Sequence, residues 1–375
     1  MYQSTARSDL QTGTPTRILE DSDLGRGFRQ RRYFYYITGV DEADCAVTYD
    51  IAKQELNLWL PPIDPRKVVW TGRGSNKTEA VDKYDIDHAE YTDKLPRYLR
   101  SWVEHNKFSG HIYILHDSQK PPCPEEVITT NDLFNSRDLQ PAIDACRLIK
   151  DDHEIGLIRK ANEISTKAHT AVLRYIASFH NEGQVEGLFL NVCIANGAKK
   201  QSYGLIAGSG SNAAILHYIK NDEDFGDRQM MVLDAGAEWH CYSSDVTRSF
   251  PLKGAWPSKE AKAIYDLVQK MQTAAFGVIG PGERFIDAHV LAHQVAVEGL
   301  LELGILHNGT VAEILDAGTS LAFYPHGLGH HLGLEVHDIM RLTSTDYSGE
   351  VYMHKSLASH EGLQPGMAIT VEPGM

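Results

Sequence analysis

Four histidines and one aspartate fall within thirteen residues of a single segment, HGLGHHLGLEVHD. They are His326, His330, His331, His337 and Asp338. Neutral imidazole is the commonest side-chain ligand of transition metals, and the intervening glycines and leucines let the backbone run close to a site. The alternative is a set of surface histidines, or of core histidines whose nitrogens are satisfied by the backbone. The density of the cluster favours metal ligation.

Three carboxylates could join this cluster. Asp234 ends the apolar run MMVL, Asp245 follows eleven residues later in YSSDVTRSF, and Glu372 ends the apolar run MAITV. Two short antiparallel strands joined by a turn would bring Asp234 and Asp245 to neighbouring sites, although a lone aspartate at a strand end is usually a turn former. A carboxylate pointing inward at Glu372 needs a partner or a bound cation.

Carboxylate oxygens together with imidazole nitrogen form a hard-to-borderline donor set that requires no thiolate. Such a set suits Mn²⁺, Co²⁺ or Zn²⁺. Several carboxylates in one apolar site would repel each other unless about two divalent ions neutralised them. Two metals about 3.5–4 Å apart can activate one water and polarise a carbonyl, as in many hydrolases. The spacing alone predicts a dinuclear metal hydrolase and nothing more specific.

The composition limits the class of protein. The chain has 375 residues, of which 42% are hydrophobic and 23% charged, as expected for a globular protein of about two domains. Its net charge of −14 argues against nucleic-acid or anionic-membrane partners. It contains no apolar run of transmembrane length and no signal-peptide core. The five cysteines form neither a CxxC pair nor a disulfide framework, which predicts reduced thiols in a cytoplasmic protein: Cys45, Cys123, Cys146, Cys193 and Cys241.

The front of the chain resembles a small α/β domain in its pattern. CAVTYD and ELNLWLP predict a hairpin, KVVWTG and HIYILHD have the same β-rich composition, and the stretch Tyr84–Val103 between those two is predicted to be helical. The first twenty-five residues are polar, so we expect them to be loose. Prolines in PPCPEEV and LQPAID indicate a boundary.

From Arg147 onward the pattern changes to a second, α+β part that carries almost all of the chemistry. Strands at MMVLDAG and MAITVEP alternate with helices around Ser258–Gly277 and Arg284–Leu303, which the turn PGER separates. A long amphipathic helix that opens this part is predicted by apolar and small residues at helical spacing: Ile155, Ile158, Ala161, Ser165, Ala168 and Val172.

These features resemble the pita-bread metallopeptidases, and within them the Xaa-Pro group of aminopeptidase P and prolidase. The resemblance runs from about Phe28 to the last residue and is carried by LDAG with SSDVTRSFP, HGLGHHLGLEVHD, MAITVEPGM and the helix leader RLIKDDHEIGLIRKANEIS. It implies an α+β fold, with a pita-bread catalytic domain at residues 142–375 after a smaller α/β domain at residues 1–141. We expect the smaller domain to be incomplete at its start, because no first strand is visible before Phe28.

The resemblance also implies a ligand set for two divalent ions per chain. Asp234 would be a terminal ligand of one metal, and Asp245 would bridge both. His330 and Glu372 would bind the second metal. Mn²⁺ is the expected ion, with Co²⁺ or Zn²⁺ as the alternatives.

Catalytic and substrate-binding roles are implied in the same way. Glu372 would shuttle the proton of a metal-bridging hydroxide, which attacks the scissile carbonyl, and His337 would stabilise the resulting oxyanion. His217, His326 and His337 would contact the substrate. His331 matches no functional position and is taken as structural.

The implied activity is release of an N-terminal residue linked to proline, from peptides with proline at the second position. The segment FRQRRYFYYITGVDEADC resembles fungal Xaa-Pro aminopeptidases. Two alternatives stay open, an Xaa-Pro dipeptidase and a non-catalytic binding protein of the same fold, and the intact ligands weigh against the second. Assembly as a homo-oligomer is an inherited expectation.

One departure from the family pattern concerns the end of the chain. The sequence stops at Met375, three residues after Glu372. The resemblance implies a second bridging glutamate, an arginine and the last strands of the catalytic domain beyond that point. We therefore expect a truncated chain that holds its second metal weakly and has little or no activity.

Overall fold

Two units make up the fold, Met1–Cys146 and Arg147–Met375. The computed structural model describes residues 7–17, 19–21, 27–106, 110–121, 133–339 and 362–375. Cys123 and most of the segment PPCPEEV, where we expected a boundary, lie outside the described residues.

The first unit is built on one mixed sheet. Its strands are β1 (Arg7–Thr12), β2 (Ala46–Asp50), β3 (Glu55–Leu60), β4 (His88–Tyr91), β5 (His111–Tyr113) and β6 (Phe134–Asn135). They lie in the order β4-β3-β2-β1-β5-β6. The predicted hairpin is confirmed, because β2 and β3 pair antiparallel.

The start of the chain differs from the expectation. Strand β1 lies in the interior of the sheet, antiparallel to β2 and parallel to β5. Its central residue Leu10 is completely buried. The predictions that the first twenty-five residues are loose and that no strand precedes Phe28 are therefore wrong for Arg7–Thr12. Backbone pairing on both sides holds a strand whose sequence, RSDLQT, is mostly polar.

The helices that begin in this unit correct two further predictions. They are α1 (Arg32–Thr38), α2 (Pro65–Thr71), α3 (Lys77–Lys83), α4 (Leu95–His105) and α5 (Leu139–Leu148). KVVWTG belongs to α2 and is not a strand. Asp64 caps this helix by accepting from the Arg66 N–H at 3.0 Å, and Pro65 occupies the first helical turn, so local capping outweighs the β-branched composition. The stretch Tyr84–Val103 is α-helical only from Leu95, since β4 and a 3₁₀ turn at Thr92–Lys94 precede it.

A long helix opens the second unit, as predicted. Helix α6 (Asp152–Tyr175) begins with a capping box in which the Glu154 N–H donates to Asp151 Oδ1 at 2.8 Å and the Asp151 N–H donates to Glu154 Oε2 at 3.0 Å. The residues that the helical spacing selects form its buried face, apart from the partly exposed Ile155: Ile158, Ala161, Ser165, Ala168 and Val172.

Two three-stranded sheets follow α6 and α7 (Glu182–Ala195). The first consists of β8 (Ile206–Ser209), β9 (Met230–Asp234) and β12 (Thr247–Pro251), and the second of β7 (Lys200–Gln201), β10 (Ala237–Trp239) and β11 (Tyr242–Ser243). Their strand orders are β12-β9-β8 and β11-β10-β7. Strand β9 confirms the predicted strand MMVLDAG.

The remaining helices are α8 (Lys259–Val278), α9 (Phe285–Glu302) and α10 (Val311–Asp316). The first two confirm the predicted helix pair. The segment MAITVEP is extended but is not a regular strand: Ile369 forms one isolated bridge with His331. The prediction of a strand is wrong in that respect, because this segment pairs with the irregular histidine-rich segment.

Candidate metal centre

Three of the expected ligands converge in the second unit. His330 Nε2 lies 3.2 Å from Asp245 Oδ2 and 3.0 Å from Glu372 Oε1. One donor atom from each of these residues lies within 4.8 Å of the other two. The three residues come from separate segments of the chain, so only the tertiary fold brings them together.

Asp234 joins the same site through Tyr203. The Tyr203 hydroxyl lies 2.8 Å from Asp245 Oδ1 and also contacts Asp234 Oδ1. Asp234 ends β9 and pairs with Thr247, the first residue of β12, so Asp245 lies two residues before the strand that flanks Asp234. The expected antiparallel pair is present, but its connection contains the additional hairpin β10-β11 and is not a simple turn.

A buried serine on α6 supports the connection between the two aspartates. Ser165 Oγ accepts from the Ala237 N–H at 2.8 Å and lies 2.7 Å from Ser244 Oγ. Gly236 leaves no room for a side chain, since a Cβ at this position would lie 1.9 Å from the Ser244 carbonyl oxygen. The glycine of LDAG therefore permits the backbone approach that places Asp245 beside Asp234.

Burial and crowding at the site shift the pKa values of Asp234, His330 and Tyr203. Burial, and then the negative charge of Asp245, raise the pKa of Asp234 to about 7. Burial lowers the pKa of His330, but its hydrogen bonds to Asp245 and Glu372 outweigh burial and raise that pKa to about 10. Burial, and then the charges of Asp245 and Asp234, raise the pKa of the Tyr203 hydroxyl well above its usual value. Beyond burial, each shift contains a contribution from neighbouring carboxylates, and a divalent cation bound here would neutralise that negative charge.

The segments that carry His330 and Glu372 are paired along their backbones. The Thr370 N–H donates to the His330 carbonyl at 2.9 Å, and the Glu372 N–H donates to the Leu328 carbonyl at 2.7 Å. A Cβ on Gly329 would lie 2.1 Å from the Thr370 carbonyl oxygen, so this position also requires glycine. The Thr370 hydroxyl donates to Glu372 Oε1 at 2.8 Å and orients the carboxylate.

The other predicted site residues divide into two groups. The His337 ring is exposed and lies 4.2 Å from the His330 ring, between centroids. His326 approaches the Glu372 segment, because a Cβ on Gly374 would lie 2.8 Å from His326 Nε2. No described contact joins His217 to this cluster. It is exposed in a turn next to Tyr218, whose hydroxyl donates to the buried Glu182 at 2.7 Å.

His331 is buried and serves the backbone of the site. Its carbonyl oxygen lies 3.0 Å from His330 Nδ1 and accepts from the Asp338 N–H at 2.9 Å. The carbonyl thus orients the imidazole that carries the candidate ligand atom.

A group of buried aromatic side chains beside the site was missed in the sequence. His289, His293 and Tyr324 are 0%, 3% and 0% exposed, and the His293 ring stacks on Tyr324 at 4.5 Å. The Tyr324 ring in turn meets His326 edge to face at 4.9 Å. The spacing of four residues puts both histidines on one face of α9 with the buried Phe285, which is the signal that could have revealed them. Tyr203 and Thr370 have no comparable signal, because only the fold brings their hydroxyls to the carboxylates.

Among the described residues, no helix combines the length and the apolar character needed to cross a membrane.

Two family models match the chain. Residues 156–375 match Metallopeptidase family M24, and residues 10–113 match the N-terminal domain of aminopeptidase P. A probable Xaa-Pro aminopeptidase from Pyrenophora tritici-repentis is 49% identical over 386 residues, which include 97% of this chain and 58% of that protein. The chain thus spans less than two thirds of the length of this relative.

The fold also matches solved structures. Pseudomonas aeruginosa aminopeptidase PepP superposes with a TM-score of 0.83 at 29% identity, covering 98% of this chain and 82% of that one. Zn-substituted Escherichia coli aminopeptidase P in complex with product has a TM-score of 0.82 at 26% identity, with the same coverage.

Proposed function

The chain belongs to metallopeptidase family M24 and carries the N-terminal domain of aminopeptidase P, and from this premise we propose that it is a metal-dependent exopeptidase. The proposed reaction is release of an N-terminal residue from peptides with proline at the second position. The name of the Pyrenophora relative supports this substrate class. The premise also confirms the family resemblance and the α+β fold class that the sequence motifs predicted.

The observation that carries the proposal is the convergence of Asp245, His330 and Glu372 within 4.8 Å, with Asp234 beside them. These residues fit divalent cations. Their donor atoms are carboxylate oxygens and an imidazole nitrogen. The raised pKa of Asp234 reflects burial and then the charge of Asp245, which a cation would neutralise. The centre would hold up to two ions per chain, the second one weakly, with Mn²⁺ as the first choice and Co²⁺ or Zn²⁺ as alternatives.

In the proposed assignment, Asp234, Asp245, His330 and Glu372 would together hold the ions through their carboxylate oxygens and the His330 imidazole nitrogen. When bound, the ions would supply an activated water and polarise the scissile carbonyl.

The side chains of the site then do the rest of the chemistry. Glu372 is held by Thr370 and its side chain is 32% exposed, so it can accept a proton from the attacking water and pass it to the leaving amine. His337 is exposed beside His330, where its N–H can donate to the developing oxyanion. His326 and His217 would line the substrate pocket, and for His217 this role rests on the family resemblance alone. Cytoplasmic location and homo-oligomeric assembly stay predictions from the sequence.

The decisive experiment combines metal content with substrate length. The purified chain is loaded with Mn²⁺, its metal content is measured, and hydrolysis of Xaa-Pro dipeptides and Xaa-Pro-Xaa tripeptides is followed. Two ions per chain with cleavage of the tripeptides would support the aminopeptidase. Cleavage of dipeptides alone would indicate a dipeptidase.

The matched variants are His330→Ala and His307→Ala, the second at an exposed histidine. With His330→Ala, an enzyme of the proposed kind loses one ion and nearly all turnover. With His307→Ala, its metal content and its turnover stay at the wild-type level. Retention of turnover by His330→Ala would refute the assignment of the centre.

A further inference from the structure

A buried ion cluster lies outside the candidate metal centre. Asp338 ends the histidine-rich segment, and its carboxylate contacts two cations. Arg147 Nη2 lies 2.5 Å from Asp338 Oδ1, and Lys150 Nζ lies 3.0 Å from Asp338 Oδ2. The three side chains are 1–3% exposed. Isolated buried charges are costly, so these groups are fixed by one another.

The Asp338 carboxylate also organises the loop that leads to His337. The Glu335 N–H donates to Asp338 Oδ1 at 3.3 Å, and the Asp338 N–H donates to the His331 carbonyl at 2.9 Å. These two bonds close residues 331–338 into a ring around Gly333, where a Cβ would lie only 2.4 Å from Asp338 Oδ2. His337 directly precedes Asp338, so its backbone is fixed by this closure.

The same cluster is the meeting point of the segments that carry the candidate ligands. The Lys150 N–H donates to the Gly366 carbonyl at 2.9 Å, on the segment that leads to Glu372. The Ser243 N–H donates to the Gly333 carbonyl at 2.8 Å, two residues before Asp245. The ion cluster therefore holds the His337 loop in place relative to two segments, the one that leads to Glu372 and the one that leads to Asp245.

The two cations fix the orientation of the Asp338 carboxylate. Burial opposes ionisation of Asp338, but Arg147 and then Lys150 outweigh it and lower the pKa of this carboxyl. Each carboxylate oxygen faces a different cation. Apolar side chains of the same volume at these three positions would pack as well. They would not hold the side chain of residue 338 in one rotation, and the backbone of His337 would lose that constraint.

We propose that Asp338, held by Arg147 and Lys150, is a positioning residue that sets the place of the His337 imidazole next to His330. None of the three touches the reacting atoms. The inference rests on the proposed function, in which His337 stabilises the oxyanion. It assigns a role to the helix leader RLIK, which the sequence connects only with family membership.

The test uses Lys150→Met, because it removes one cation and leaves a neutral pair of Arg147 and Asp338 that can stay folded. We expect kcat to fall about 10- to 100-fold, since displacement of a catalytic group by about 1 Å can cost about a hundredfold. KM and metal content should change less than about threefold, because the ligands are untouched. Val172→Ala, in the buried face of α6, is the matched control for general destabilisation and should leave kcat within about twofold.

A double-mutant cycle with His337→Ala separates positioning from a structural effect. If Lys150 acts through His337, then Lys150→Met has less than about a twofold effect once His337 is alanine. The same loss in both backgrounds would overturn the proposal.

Crystal structures give a readout that does not depend on turnover. In Lys150→Met the His337 ring should leave its position 4.2 Å from the His330 ring, while Asp245, His330 and Glu372 keep theirs. An unmoved His337 ring would overturn the inference. Failure of the wild-type chain to cleave any Xaa-Pro peptide would instead overturn the proposed function, and the displacement of the ring would still be measured.

Discussion

Acid should destabilise the second unit through two buried histidines, and replacing His289 should reduce that sensitivity. His289 and His293 are one helical turn apart, with ring centroids 4.7 Å from each other. Burial lowers the pKa of His289 to about 3, with a further contribution from His293 and His326. Burial, and then His326, lower the pKa of His293 to about 4. Tyr324, whose ring packs against both imidazoles, stays neutral in this range, since burial raises its pKa.

The sign and the size of the effect follow from these values. The unfolded chain has imidazoles with a pKa of about 6.5, so below that pH it binds more protons than the folded chain. The stability of the folded state is fully present above about pH 6.5 and falls as the pH decreases toward the folded-state values. At about pH 5, roughly 1.5 pH units below the unfolded value, each histidine removes about 2 kcal/mol. The pair removes about 4 kcal/mol, which is a large part of the 5–15 kcal/mol typical of a folded protein.

The assay is urea unfolding of wild type and His289→Leu at several pH values from about 7.5 to about 5, with a chelator present. Hydrogen exchange of α9 amides assigns the change to this unit. At about pH 7.5 the variant should be as stable as wild type or more stable, because two buried imidazole nitrogens that lack hydrogen-bond partners are removed.

Between about pH 7.5 and about pH 5 the variant should lose about 2 kcal/mol less than wild type. The control His307→Leu, at an exposed histidine, should follow wild type. Equal losses in His289→Leu and wild type would refute the reasoning, because the histidine would then titrate alike in the folded and unfolded chains.

Three further predictions concern the segments around the metal centre. Asp338→Asn should cost about 3–5 kcal/mol in unfolding free energy, clearly more than Lys150→Met, because it removes the carboxylate that both buried cations contact; equal costs would contradict this account. Tyr203→Phe should weaken Mn²⁺ binding about 10- to 100-fold in calorimetric titration, since it removes the hydroxyl that orients two carboxylates, and unchanged affinity would show that the hydroxyl is dispensable. Gly236→Ala places a methyl 1.9 Å from the Ser244 carbonyl oxygen, so we expect a lower melting temperature together with loss of bound metal, and a variant that retains both would show that this backbone approach can relax.

Local patterns were sufficient for much of the fold. The helical spacing from Ile158 to Val172 predicted α6, and the apolar run before Asp234 predicted β9. These predictions succeeded because the buried face of a regular element repeats with the period of that element. The prediction of a strand at KVVWTG was wrong for the opposite reason. Val69 and Trp70 are 80% and 81% exposed, so they do not pack in a sheet as their β propensity would favour, and capping by Asp64 makes the segment helical.

The start of the chain shows what local patterns cannot supply. Nothing in RSDLQT apart from Leu10 indicates an interior strand, yet β1 pairs on both sides. Strand pairing of this kind depends on residues far along the chain, and the sequence of the strand itself carries little of that information.

The sequence by itself supplied the donor atoms of the candidate metal centre, because the identity of His330, Glu372 and the two aspartates limits the class of metal we propose for them. Only the tertiary structure decided their geometry. Asp245 and His330 are separated by a long stretch of chain but approach to 3.2 Å. This approach requires close backbone contacts between segments, which Gly236 and Gly329 permit. The partners that orient the ligands, Tyr203 and Thr370, belong to the same category, because a hydroxyl becomes a positioning group only when the fold places it within hydrogen-bond distance of a carboxylate.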